Sequence, residues 1–186
     1  MLYKFDDREP VVGNGSYVSE TATVVGDVKI GNNCYIGHGV VLRGDYGSIE
    51  IGDGTAIEEG VVVHAPPNDR CLIENRVTVG HGAIIHAALV GSSVTIGMGA
   101  ILSIRSEVGA GSIVAEGAIV KREQKIAPSV VVAGNPARKV RDVTPKDTEY
   151  WEMAKELYIN LARKYLEKGM EPVALVGLPS PPHYPA

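Results

Sequence analysis

The sequence predicts an all-β chain, a parallel β-helix wound from six-residue repeats and followed by a C-terminal α-helix. Three observations carry this expectation: an aliphatic residue that returns every six positions, a composition rich in glycine and poor in bulky aromatics, and one stripe of helical period near the end. The 186 residues include 22 Gly but only 8 Tyr, 1 Trp and 1 Phe, which suits narrow strands and tight turns. At 19.7 kDa, one core with a modest appendage is expected.

The period becomes regular at Val24, Ile30, Ile36 and Leu42, resumes at Ile51, Ile57 and Val63, and again at Ile73, Val79 and Ile85. It then runs as Val90, Ile96, Leu102, Val108, Val114, Val120, Ile126 and Val132. Three such repeats make one triangular coil of 18 residues, with one inward residue per repeat and small or polar residues at the corners. Coils stack at strand spacing, about 4.8 Å, so each outward position forms a column. Residues 1–140 are assigned to this prism with its lead-in, 141–170 to a helix packed on it, and 171–186 to a proline-rich extended tail. Thr144 or Asp147 supplies the cap of a helix from Pro145 to Lys168. Its inward stripe is Trp151, Ala154, Leu157, Tyr158, Leu161, Ala162 and Tyr165, and Gly169 stops it.

Composition excludes several functions. A net charge of -4 gives no basic field for a phosphate backbone, so nucleic acid is not an expected partner. No apolar run is long enough for a membrane span, and charges at the N-terminus argue against a secretory signal; a cytoplasmic protein is expected. Two cysteines, Cys34 and Cys71, are too few for a disulfide framework or a zinc ribbon, so a metal here would use histidine or carboxylate.

The histidines are His38, His64, His81, His86 and His183. His64 and His86 each follow an inward residue and lie 22 residues apart. The step from Val63 to Ile73 holds four more residues than a repeat, so they stand one coil apart in one column. The same correction puts Arg43 one coil beneath His64, with Asp45 two residues on. His81 falls in a different column, with His38 and Glu59, too far along the chain to join the pair within one prism. A cyclic trimer would bring a neighbour's His81 to His64 and His86, giving three nitrogen ligands and an open position, the arrangement of a catalytic zinc. The plainer alternative is a set of surface imidazoles at an oligomer interface.

Leu42-Arg43-Gly44-Asp45, Ile51-Gly52-Asp53, Val63-His64, Val79-Gly80-His81-Gly82, Ile85-His86 and Ile96-Gly97-Met98-Gly99 resemble the gamma class of carbonic anhydrases and its relatives, over roughly Tyr17 to Arg141. The resemblance implies a left-handed β-helix, a homotrimer, and a metal held between subunits by His64, His81 and His86. Zinc is implied, and iron or cobalt suit the same ligands. It implies attack of a metal hydroxide on carbon dioxide to give bicarbonate, with Arg43 and Asp45 at the subunit contact or handling product. Glu58 falls where the family usually carries a glutamine facing the metal-bound solvent, and Tyr158 on the helix falls near the site. The acidic proton-export loop of the family is absent: the segments after Asp45 and His64 are short. Relatives with the same histidines also suggest an acyl-CoA thioesterase acting on an acyl thioester, a hexapeptide acyltransferase, or a trimeric scaffold that binds metal without turnover.

Overall fold

The computed structural model describes residues 1–173; residues 174–186 of the expected tail, His183 among them, lie outside the described residues. Parallel coils stack into a β-solenoid of about seven turns, followed by one helix. Every residue that the six-residue period turns inward, from Val24 to Val132, is buried in one apolar cluster. The register is the expected one: Val63 lies between Leu42 and Ile85, and Val79 between Ile57 and Ile96.

One inward residue per repeat is an underestimate. Two positions before nearly every period residue a second side chain, often a smaller one, is also buried, among them Val40, Val61, Ala83, Ala100 and Ala118. Most strands are only two residues long, and the alternation of side chains across a strand brings position i−2 back to the same interior. At two of the polar positions of this kind the hydroxyl bonds across coils: Thr55 donates to the Glu74 carbonyl at 2.8 Å, and Ser112 to the Ala127 carbonyl at 2.7 Å, whereas the Ser106 hydroxyl is buried without a partner. One corner column consists of Asn33, Gly54, Arg76, Ser93, Gly111 and Ser129, all with positive φ, so the coils turn in the left-handed backbone region whether or not glycine supplies it. The coils approach closely elsewhere: a Cβ on Gly97 would stand 2.5 Å from the Glu116 backbone nitrogen.

The last strand departs from the parallel order. Arg138–Asp142 folds back antiparallel on Val130–Ala133 before the helix begins. The helix spans Pro145–Lys168. Thr144 caps it, Asp147 closes a capping box, and Gly169 ends it at φ 69°. Its inner face carries Trp151, Ala154, Tyr158, Leu161, Ala162 and Tyr165 as expected. Leu157 does not belong to it. That side chain is 65% exposed, and Lys155, 1% exposed, lies inward instead. The prism column beneath explains the exchange: its outward residues run Tyr17, Tyr35, Ala56, Thr78, Thr95 and Ile113, aromatic at one end and hydroxyl-bearing at Thr78 and Thr95. Tyr165 stacks on Tyr17 at 4.5 Å and Tyr158 packs on Tyr35 at 5.3 Å with the rings tilted by 45°, while Lys155 reaches Thr95. Arg76 clamps the outer side through Glu152 at 2.6 Å and Glu156 at 2.8 Å.

Candidate metal centre

Two groups of predicted residues occupy two separate places on the prism. Because Leu42, Val63 and Ile85 point inward in register, the residues after them, Arg43, His64 and His86, project outward as one column. The His64 and His86 rings stack with centroids 5.0 Å apart and planes inclined by 24°. Burial, then the charge of Arg43 and the neighbouring His86, holds the His64 pKa below its ordinary value, so its imidazole stays neutral. Asp45 completes this corner. Its carboxylate accepts from Arg43 at 2.8 Å and lies 3.9 Å from His64 Nε2. Burial opposes its charge, but the hydrogen bond and the charge of Arg43 outweigh it and lower its pKa. Arg8 reaches over from the lead-in to the Asp45 and Tyr46 carbonyls.

His86 Nε2 is buried and has no hydrogen-bond partner. Leaving such a nitrogen unsatisfied costs about 1–3 kcal/mol, which a bound cation would offset. Stacked imidazoles, with His64 held neutral and a buried nitrogen of His86 left unused, fit zinc, iron or cobalt. Two nitrogens are not a complete site, and among the described residues of one chain no three metal-binding side chains come together.

His81 stands in the second place, its ring nitrogens already engaged. Nδ1 lies 2.7 Å from Glu59 Oε2, and Nε2 lies 3.0 Å from Glu58 Oε2, which also accepts from the His81 backbone at 3.1 Å. Tyr35 donates to the other oxygen of Glu59 at 2.7 Å. Burial pushes the Glu58 pKa up, against the pull of Tyr158 and His81. Glu59 moves the other way, because Tyr35 and His81 outweigh burial. Burial and the facing Glu58 raise the Tyr158 phenol, which places that residue over the site as well as in the tyrosine packing. Together Glu58, His81, Thr78, Met98, Trp151 and Tyr158 line a cleft of about 200 Å³ between helix and prism. His38 keeps to the His81 column but belongs to the tyrosine cluster, bonded to Ser19 at 2.6 Å and edge-on to Tyr165.

The hexapeptide model of bacterial transferases, with six repeats, matches residues 9–44. The chain is 35% identical to a hexapeptide transferase family protein from Anaplasma phagocytophilum, with a TM-score of 0.85 over 89% of this chain and 98% of that one. It is 37% identical over 163 residues to gamma carbonic anhydrase 2, mitochondrial, of Arabidopsis thaliana, covering 84% of this chain and 59% of that protein. It is 34% identical over 169 residues to a carbonic anhydrase of Geobacillus kaustophilus, covering 91% of this chain and 89% of that one. The chain belongs to the gamma carbonic anhydrase-like family of hexapeptide-repeat proteins. It spans about six tenths of the length of the Arabidopsis relative.

For a gamma carbonic anhydrase-like chain the division of the site is informative. Arg43, Asp45, His64 and His86 share one corner, while Glu58, His81 and Tyr158 share a face. Sequence reasoning missed the engagement of Glu59 and Tyr35 with His81. The column count already put Glu59 beside His81, and that adjacency was the available signal. Arg8 carried no signal, since the lead-in lies outside the repeat.

Proposed function

We propose that this protein is a metal-dependent carbonic anhydrase, converting carbon dioxide to bicarbonate at a site shared between subunits of a soluble homotrimer. The observation that carries the proposal is the stacked His64–His86 pair, with His64 held neutral and the Nε2 of His86 buried and unused. In this reading His64 and His86 of one copy and His81 of the next hold the metal, zinc by preference or iron or cobalt. When bound, the metal supplies Lewis acidity, bringing the deprotonation of water toward neutral pH.

The chain's own residues do the rest. Glu59 accepts from His81 Nδ1 and so presents Nε2 as the ligating nitrogen, the usual carboxylate–histidine support of a metal ligand. Glu58 must release that Nε2, and its buried carboxyl then faces the reacting solvent, able to donate when protonated and accept when ionised. Arg43, held by Asp45, offers a guanidinium beside the pair, suited to a product carboxylate. Tyr158 orients Glu58 from the helix.

Acyl transfer or thioester hydrolysis is the second reading, favoured by the likeness to a hexapeptide transferase family protein. Metal analysis of anaerobically purified protein, with parallel assays of carbon dioxide hydration and acyl-CoA hydrolysis, tests both. The proposal expects one metal per chain and hydration that is lost on chelation. Metal-free protein that turns over an acyl-CoA would overturn it.

A further inference from the structure

Lys155 has no part in the metal centre, yet it is the most buried charged side chain of the protein. Its ammonium nitrogen reaches only Thr95 Oγ1 at 3.3 Å and the Trp151 carbonyl at 3.5 Å, and it lies 5.8 Å from the Trp151 ring centroid. Among the described residues it has no free counter-ion. The two carboxylates on the adjoining wall are taken, Asp147 by Arg141 and Glu152 by Arg76. An ammonium held out of water without a partner is costly, and loss of its proton relieves that cost. Burial accordingly lowers the Lys155 pKa to about 8, with Glu152 opposing and Arg76 assisting. A neutral lysine amine is a nucleophile.

Beside this amine lies a cavity of about 40 Å³, lined by Ser93, Thr95, Thr148 and Trp151 among others. The space exceeds that needed for one water and suits a triatomic molecule. We infer that Lys155 Nζ is a reversible acceptor of carbon dioxide, forming a carbamate in this cavity. The amine lone pair forms a bond to the carbon of carbon dioxide, one carbon–oxygen π pair moves onto oxygen, and the nitrogen releases a proton to solvent. The lining hydroxyls of Ser93, Thr95 and Thr148 are the donors available to the resulting carboxylate. The inference stands apart from the metal centre, and failure of either leaves the other intact.

The test exposes the full chain to ¹³C-labelled carbon dioxide at pH 7.5, traps carbamates with a trialkyloxonium salt and maps labelled peptides by mass spectrometry. An amine titrating near 8 carries on the order of a hundredfold more free base at this pH than an ordinary lysine. Label at Lys155 is therefore expected at least about tenfold above that at exposed Lys4 or Lys125, rising to saturation with carbon dioxide pressure. Lys155→Met, which keeps the packing without the nitrogen, should abolish the ¹³C carbamate signal of the folded protein. The unmodified sequence is tested whatever that variant does. Label that spreads over exposed lysines, or leaves Lys155 unlabelled, overturns the inference.

Discussion

The two histidine stations of this prism are built on the same repeat and behave in opposite ways. At the corner, His64 and His86 stack in register, His64 held neutral and His86 Nε2 buried without a partner. On the face one edge away, His81 is saturated by Glu58 and Glu59. Neither is a site alone: one has vacant nitrogens and too few of them, the other a ligand already oriented by carboxylates. The difference teaches how, in the proposed reading, a repeat fold would divide a reactive centre into complementary halves on one chain. Assembly of identical copies would complete it, with the same contact closing a ring.

The comparison breaks most directly at the corner. His86→Ala is expected to abolish stoichiometric metal binding and reduce carbon dioxide hydration to background, while the coil below, packed by Ile85, stays folded; metal analysis and circular dichroism check both. The face should yield less. Glu59→Gln keeps the size of the side chain but loses the charge on His81 Nδ1, and metal affinity should weaken about 10–100-fold in a competition titration with a chelator. Tyr35→Phe, one bond further out, should weaken it by less.

Acid sharpens the contrast for metal-free protein. The His64 pKa is lowered in the folded state, so the unfolded chain binds that proton first, and stability falls as pH drops from about 6.5 through the depressed value. Asp45 is likewise lowered, and its contribution is lost in a second window below its ordinary value of 3.8. Urea titrations across pH should show the first loss disappear in His64→Gln and the second in Asp45→Asn. The smallest effect is expected at the helix that carries Tyr158 over Glu58. Thr144→Ala removes the cap and should cost about 1 kcal/mol in thermal unfolding, with metal bound at the corner unchanged.

Much of this was legible before any coordinates, because a six-residue period leaves little freedom. Once the extra residues between Val63 and Ile73 are subtracted, His86 can stand only over His64, and the rings do stack. Columns give adjacency but not rotamers, which is why Glu59 was placed beside His81 while its hydrogen bond to Nδ1 was not foreseen. The helix was bounded correctly by its cap and its glycine, yet Leu157 was turned inward and Lys155 was overlooked. The hydrophobicity of the helix alone cannot reveal that Thr95 of the underlying column offers Lys155 a hydroxyl. The antiparallel return of Arg138–Asp142 lies beyond the repeat, where the period gives no register.

Sharing of the centre between copies is tested most directly by mixing His64→Ala chains with His81→Ala chains, each devoid of metal alone, and measuring metal in the reassembled protein. Statistical mixing of a closed heterologous ring predicts recovery of about a quarter of the sites, with hydration restored in proportion. Mixed protein that stays metal-free, or either variant holding a full complement by itself, would contradict the account.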